Sequence, residues 1–390
     1  MSDWLEDSVN VNAGEDLKDD ISSLSDVVIV PSDWTIETIL SLVHKGMINI
    51  SPDFQRREAW NIERKSLFIE TILLGLPVPQ IILAEDKKER KYLVVDGRQR
   101  LLTLLQFSQL DDSKNNYTRF KLKGLKKLDD LNGDFFYDIE NNPSKEQYIS
   151  DFNNFTIRCA VLKQWNKEVL YDMFLRINQG SVILSPQELR QALFPGAFTK
   201  FIEEKSANSP ALRDILKIEK PDPRMNDAEL LLRYYAVKNR LNNNYNGNLK
   251  DLLDNTCKYY NENWDNEMNV IQNQLIEFEE GYNFLKKIFQ IIYAFGKYEG
   301  TKQNKRFNRA IYDFLMYYFS QKNIRDCLMK TNNYKERIQN EYMKMFNDEE
   351  ISNSVTSTTK SKEAFKIRMN AWANVLSEIL NIKDDSLYVF

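Results

Sequence analysis

An acid, a glycine and two arginines stand together at Asp96-Gly97-Arg98-Gln99-Arg100, directly after the apolar run Tyr92-Leu93-Val94-Val95. The spacing reads as a buried strand that turns on glycine and launches a helix with two guanidiniums in its first turn. A helix N-terminus presents unpaired backbone N–H groups and the positive end of its dipole. Guanidinium adds planar, permanently charged donors that match phosphate oxygens. Phosphate or nucleotide binding is the chemistry such a turn offers. Asp96 is placed to hold Mg2+, to orient a water, or to pin Arg98 or Arg100. The plainer alternative is a tight turn whose arginines are solvated.

Three further clusters put polar side chains beside turns. Asp53-Phe54-Gln55-Arg56-Arg57 with Trp60 supplies two cations, an amide and an aromatic anchor, or else a surface loop with an Arg–Asp pair. In Arg176-Ile177-Asn178-Gln179-Gly180 a helix ends, and Ser185 with Glu188 then forms a capping box, Pro186 taking the first helical position. Capping accounts for Ser185, Pro186, Glu188 and Gly180, but not for Arg176, Asn178 or Gln187, which suit a base edge or a ribose. Arg224-Met225-Asn226-Asp227 to Arg233 is read as a helix start capped by Asp227, with Arg233 in a packing role.

Much other chemistry is excluded by composition. The only histidine is His44, which rules against an HNH nuclease, a Ser-His-Asp hydrolase and a His-ligated zinc site. Cys159, Cys257 and Cys327 are scattered and form no C-x-x-C pair, so a reduced, cytoplasmic setting is expected. No Gly-rich Lys-Ser/Thr loop occurs, which disfavours a Walker-type ATPase. A formal charge of −4 argues against blanket phosphate neutralisation and makes any DNA contact focal. The run Lys121, Lys123, Lys126, Lys127 is read as a solvated edge. No segment is apolar enough for a membrane span, and the acidic N-terminus is no signal peptide.

The elements that must position these residues follow from periodicity. Residues 1–26 read as a disordered acidic arm. Thr35 caps a helix carrying Ile36, Ile39, Leu40 and Val43 and closed by Gly46, and a second helix around Phe68 to Leu73 ends at Gly75. Gln80 to Ala84 is a strand, and the polar loop Glu85 to Arg90 makes a hairpin with the run that ends at Asp96. The helix beyond Gly97 buries Leu101, Leu104, Leu105 and Phe107. Tyr117 to Leu122 and Phe155 to Leu162 are predicted as strands. From Lys167 the pattern is helical: Val169–Ile177, Pro186–Leu193, Asp227–Asn239, Met268–Phe295, Asn308–Phe319 and Lys362–Leu380, with loops at Asn242–Asn248 and Ser352–Lys360. The fold class is α+β: a small mixed-sheet domain over residues 27–195, then an all-α domain over 196–390.

In this chain order the clusters resemble the N-terminal domain family of GmrSD-type restriction endonucleases, whose fold is ParB/sulfiredoxin-like. The resemblance rests on Gln55-Arg56 with Trp60, on Asp96-Gly97-Arg98-Gln99-Arg100, and on Arg176-Ile177-Asn178-Gln179-Gly180 followed by Glu188-Leu189. It implies a nucleotide-binding, NTP-hydrolysing domain in bacterial restriction of modified or phage DNA. It also implies an active turn of Asp96, Gln99 and Arg100, with Arg56 and Asn178 lining the same pocket; the residues' own chemistry adds Gln55, Arg57, Gly97, Arg98, Arg176 and Gln187 around the nucleotide and Mg2+ on Asp96. Arg98 stands where the commonest pattern has Gln, which adds phosphate affinity. Family members that append an HNH domain have a histidine-based site this chain lacks, so a stand-alone member with a separate nuclease subunit is expected. Two alternatives remain: a DNA nuclease or glycosylase using the same pocket, and a non-catalytic nucleotide-dependent adaptor.

Overall fold

The structure is a computed structural model that describes residues 28–48, 60–86, 90–109, 118–165, 170, 173, 185–289, 295–300, 302–304, 306–357, 359, 361–382 and 387–388. The predicted acidic arm and most of the predicted helix Val169–Ile177 lie outside these residues. Two compact units meet in sequence between Leu193 and Phe194. The first holds a mixed sheet and the second is helical apart from one two-stranded hairpin, an α+β architecture as the periodicity predicts.

The sheet of the first unit has the order β1-β4-β2-β3. Its strands are β1 (Val28–Thr35), β2 (Ile81–Glu85), β3 (Tyr92–Asp96) and β4 (Thr156–Lys163). β1 runs antiparallel to β4, with Val28 opposite Lys163 and Thr35 opposite Thr156. β4 lies parallel to β2, and β2 antiparallel to β3 with Ile82 opposite Asp96. That last register carries the hairpin's second strand to its acidic end beside the start of β2.

Both faces of the sheet are buried at its central strand β2. On one side Ile81, Leu83, Val94, Ile157 and Cys159 meet the helices α1 (Ile36–His44), α2 (Ile62–Leu73) and α3 (Arg98–Ser108). On the other, Ile82, Ala84, Val95 and Leu162 pack with Leu170 and with Leu189 of α6 (Pro186–Leu193). α4 (Phe136–Glu140) and α5 (Glu146–Asn154) join the first side through Phe136, Ile139 and Phe152. The expected caps form. Thr38 N donates to Thr35 Oγ1 at 3.2 Å, and Gly46 and Gly75 take positive φ at the ends of α1 and α2. α2 begins at Ile62, earlier than the apolar spacing suggests, because Asn61 accepts from Arg64 N at 2.9 Å.

Tyr117 to Leu122 is a correction: residues 118–123 form no strand, and Tyr117 lies outside the described residues. Phe120 and Leu122 are buried as β-propensity suggests, but the backbone finds other partners. Leu122 exchanges hydrogen bonds with Asp134 and Gly133, and Lys123 N donates to Ser66 Oγ at 2.9 Å. The Glu70 carboxylate then accepts from the backbone N–H groups of Lys126, Lys127 and Leu128 at 2.8, 2.6 and 3.0 Å. Burial pushes the Glu70 carboxyl up, and those three donors outweigh it and hold it below the ordinary glutamate range.

The helical unit comprises α7 (Ala197–Asn208), α8 (Pro210–Leu216), α9 (Asn226–Asn244), α10 (Leu249–Glu262), α11 (Trp264–Ile288), α12 (Arg309–Phe319), α13 (Lys322–Met329), α14 (Tyr334–Met345), α15 (Glu349–Ser354) and α16 (Lys362–Leu380). Its long helices were legible, but three boundaries are corrected. α11 starts a turn before Met268 and gives way to extended backbone at Phe289. α9 runs to Asn244, into the expected loop. α15 claims Ser352 to Ser354, because Asp348 caps it by accepting from Glu350 N and Ile351 N. Tyr312, Phe314, Tyr318 and Phe319 are fully buried in α12, core rather than stacking platform. α11 approaches the end of α12 so closely at Gly281 that a Cβ there would lie 2.8 Å from Phe319 O.

Candidate functional site

The turn at Gly97 is built by two constraints that only glycine meets together. Its φ is +99°, in the left-handed region, and a Cβ would stand 2.9 Å from Ile81 Cγ1 and 3.2 Å from Arg100 Nη2. Leu101 N donates to Gly97 O at 2.9 Å, so the N–H groups of Arg98, Gln99 and Arg100 precede the first bond of the α3 ladder. Gly97, at the cap position, has no side chain with which to cap α3, and no acid lies in the first turn of the helix. The N-terminal field of α3 is therefore left to whatever adjoins it, Asp96 first.

Arg100 is the strut of this turn. Its Nη2 donates to Asp96 Oδ2 at 2.8 Å and to the Gln80 carbonyl at 2.9 Å, while the residue is 7 % exposed. One guanidinium thus ties the end of β3 to the chain entering β2, and fixes the carboxylate that the sequence marks as reactive. This is the pinning role considered for Asp96 with Arg100, now with its geometry.

Arg98 reaches the opposite wall. Its Nη1 lies 3.7 Å from Glu188 Oε1, and both side chains are nearly buried. Glu188 belongs to the capping box of α6: Ser185 N donates to Glu188 Oε2 at 2.6 Å, and Glu188 N donates to Ser185 Oγ at 3.1 Å. One oxygen of the carboxylate caps the helix and the other faces Arg98. The capping box was legible in sequence; its second use was not, because pairing between α3 and α6 is a matter of sheet topology.

Beside Glu188, Gln187 is 1 % exposed, and its Oε1 accepts from Arg190 Nη1 at 2.7 Å. Its Nε2 is buried without a hydrogen-bond partner, as is Gln99 Oε1 in the first turn of α3. Buried amide atoms left unsatisfied are costly, about 1–3 kcal/mol each, and mark places where a bound group can supply the missing partner. Arg190 was missed as a site residue; its signal was the i, i+3 spacing from Gln187. The structure therefore brings Asp96, Gly97, Arg98, Gln99 and Arg100 together and joins the α6 turn of Gln187 to them through Arg98. Gln55, Arg56, Arg57, Arg176 and Asn178 lie outside the described residues. Of their neighbours, Trp60 packs edge-on against Phe68 at 5.6 Å, with Arg64 over its ring at 4.9 Å.

The remaining clusters resolve structurally. Arg233 donates from Nε and Nη2 to the two Asp313 oxygens at 3.0 and 2.5 Å, deep in the helical unit, as its packing reading requires. Asp227 is not the cap of α9. Met225, at φ +56°, holds that position, and Asp227 in the first turn accepts from Asp222 N at 3.3 Å. In the lysine run, Lys123 pairs with Glu63 at 2.7 Å in an exposed position.

For a metal, the fit is that of an ion carried in with a ligand. Among the described residues no group of three or more His, Cys, Asp and Glu side chains comes together. Asp96 offers a carboxylate at the turn, and Mg2+ is commonly held by one or two carboxylates with substrate phosphates completing its shell. Among the described residues no helix is long and apolar enough to cross a membrane.

No curated protein and no solved structure matches the chain. A family model does, across β2, β3 and β4, the Gly97 turn and the whole of α6. Residues 36–195 match the family described as GmrSD restriction endonuclease, N-terminal domain.

Proposed function

We propose that the chain is a component of a restriction or anti-phage defence system, whose sheet-bearing unit binds a nucleoside triphosphate at the Gly97 turn and hydrolyses it. The single observation that carries the reading is the α3 N-terminus, whose cap residue Gly97 has no side chain to satisfy it, with Arg98 beside it and Asp96 held in place by Arg100. Backbone N–H groups and Arg98 offer donors to phosphate oxygens. Gln99, whose Oε1 is buried and unpartnered, is suited to accept from an attacking water or from the ligand. Asp96 is the residue to hold Mg2+ arriving with the triphosphate, and the ion would supply charge neutralisation on the phosphates. Arg56 and Asn178 are included in the same pocket on the resemblance of their motifs alone. The match of residues 36–195 to that family supports the defence setting, with DNA or a separate nuclease subunit as the proposed partner and the cytoplasm as the proposed compartment.

The test is phosphate release by the purified protein from each of the four NTPs, with and without Mg2+ and DNA. Turnover is expected, with a loss of about 100-fold or more in Asp96→Ala. Binding without turnover would make the protein a nucleotide-dependent adaptor. Nicks or abasic sites in modified phage DNA, formed without NTP consumption, would replace the proposal with a DNA-acting enzyme.

A further inference from the structure

The lysine run that reads as a solvated strand edge has no strand to guard, because residues 118–123 form none. Between Thr118 and Leu128 the chain carries five cations, Arg119, Lys121, Lys123, Lys126 and Lys127, and no acid, in a protein whose formal charge is −4. The apolar members of the stretch turn inward: Phe120, Leu122 and Leu125 are buried, while all four lysines are exposed. The display is held from beneath. Glu70 accepts from the backbone N–H groups of Lys126 and Lys127 themselves, at 2.8 and 2.6 Å, which fixes their main chain. Lys121 stands over the Phe135 ring at 5.0 Å, with Arg119 over the same ring at 4.8 Å. Lys123 reaches Glu63 at 2.7 Å, an exposed ion pair of the kind that another anion displaces readily. Among the described residues the Lys126 and Lys127 ammonium groups make no ion pair and no hydrogen bond. The cationic stretch ends at Asp129 and Asp130, which are exposed and open the next turn.

We propose that this loop is a docking surface for the phosphate backbone of duplex DNA. The choice of DNA rests on the restriction reading above; the cationic surface does not depend on it. A polyanion gains from several cations carried on a backbone that is already ordered, because only their side chains remain to be immobilised. A chain of net negative charge repels DNA at a distance, so contact requires a local concentration of cations such as this one. Among the described residues, none of the exposed large apolar side chains lies between Thr118 and Leu128. That argues against a lipid surface, where basic residues act beside apolar ones that insert. Ammonium groups are point charges without the planar fork of guanidinium, so the four lysines suit phosphates and carry no base code. The contact is indifferent to sequence: it supplies affinity and leaves the recognition of modified bases to other surfaces.

The experiment measures binding of the full chain to a fluorescent duplex of mixed sequence, by anisotropy across a salt series. The wild type is expected to bind. Lys126→Gln combined with Lys127→Gln should lower the slope of log affinity against log salt by about 2, since each phosphate contact contributes roughly 0.9. Adding Lys121→Gln should lower it by about one more. Modified and unmodified duplexes should lose affinity alike. The pair Lys362→Gln and Lys366→Gln, exposed on α16, changes the net charge by the same amount as the first pair and should leave the slope unchanged. Melting temperature, and phosphate release without DNA, should match the wild type in every variant, which separates lost docking from lost folding. The proposal is overturned if the wild type does not bind the duplex, if the loop variants keep its slope, or if the α16 pair lowers it equally. Binding of anionic lipid vesicles or polyglutamate through the same lysines, with no duplex bound, overturns it in favour of a membrane or an acidic protein. Phosphate release and duplex docking are read separately, so an absence of turnover beside the expected salt slopes removes the nucleotide reading and leaves the docking surface standing.

Discussion

Asp96 and Arg100 divide the work at the Gly97 turn between a residue that can meet a ligand and one that holds the first in place. The distinction is testable because their losses differ in kind. Arg100→Ala removes donors from the Gln80 carbonyl and the Asp96 carboxylate and empties a buried volume, so it should destabilise the sheet-bearing unit by about 2–4 kcal/mol as well as abolish turnover. Asp96→Asn keeps an acceptor for Arg100 and should melt within about 1 kcal/mol of the wild type while losing activity. Thermal melts run beside phosphate-release assays separate the two; equal stability losses would deny Arg100 its bracing part. Gly97→Ala is expected to lower stability by about 1–3 kcal/mol, since the new methyl meets Ile81 and the backbone must keep a φ of +99°. Among these residues Gly97, Asp96 and Arg98 were legible from composition of the turn alone. The Arg100 contact to Gln80 was not, because it spans the hairpin and depends on the register of β2 against β3.

At the scale of elements, the loop after Leu122 is held by a carboxylate instead of a ladder, which makes it sensitive to acid. Glu70 has a folded-state pKa below its ordinary value of 4.5, so the ionised form is the one the fold favours. Its contribution is therefore full above about pH 4.5 and is lost as the pH falls through the lower folded-state value. Glu70→Ala should cost about 2–3 kcal/mol at pH 7, since three backbone donors lose their shared acceptor, and the penalty should shrink toward pH 3. Urea titrations of both proteins across that range decide it. A penalty independent of pH would assign Glu70 to packing alone. The same loop shows where sequence reasoning stops. Phe120 and Leu122 look like strand residues and are buried as such, yet their backbone is satisfied by Asp134, Gly133, Ser66 and Glu70, partners that no local pattern announces. By contrast α6 and α16 have the bounds their caps predict, Ser185 with Glu188 in one and Ser361 accepting from Ala364 N in the other. Where a cap is written in adjacent residues, the boundary is legible; where it arises from a distant carboxylate or a close helix crossing, it is not.

Across the whole molecule, the two units hold charge differently. The sheet-bearing unit keeps Asp96, Arg98 and Glu188 at the margin of burial, whereas the helical unit encloses Arg233, Asp313 and Arg368 almost completely. Arg368 lies 4.0 Å from Asp313, donates to the Ser354 and Thr359 carbonyls, and stacks on Phe365 at 3.6 Å. Burial first, and Arg233 alongside, pushes its guanidinium down to about 10. Asp313→Ala should therefore cost about 3–5 kcal/mol, because it strands two buried cations, while a paired Arg233→Met, Asp313→Leu change should cost much less. Denaturant unfolding of the three proteins checks this, and a similar loss in single and double variants would refute the charge-stranding account. One more consequence follows from α3, whose residues from Arg100 to Phe107 are all enclosed. A rod packed on every side has no direction in which to tilt without opening voids. Accommodation of a guest at its tip must come from rotamers and from the facing wall, which makes α3 an anvil and assigns induced fit to the surfaces around it.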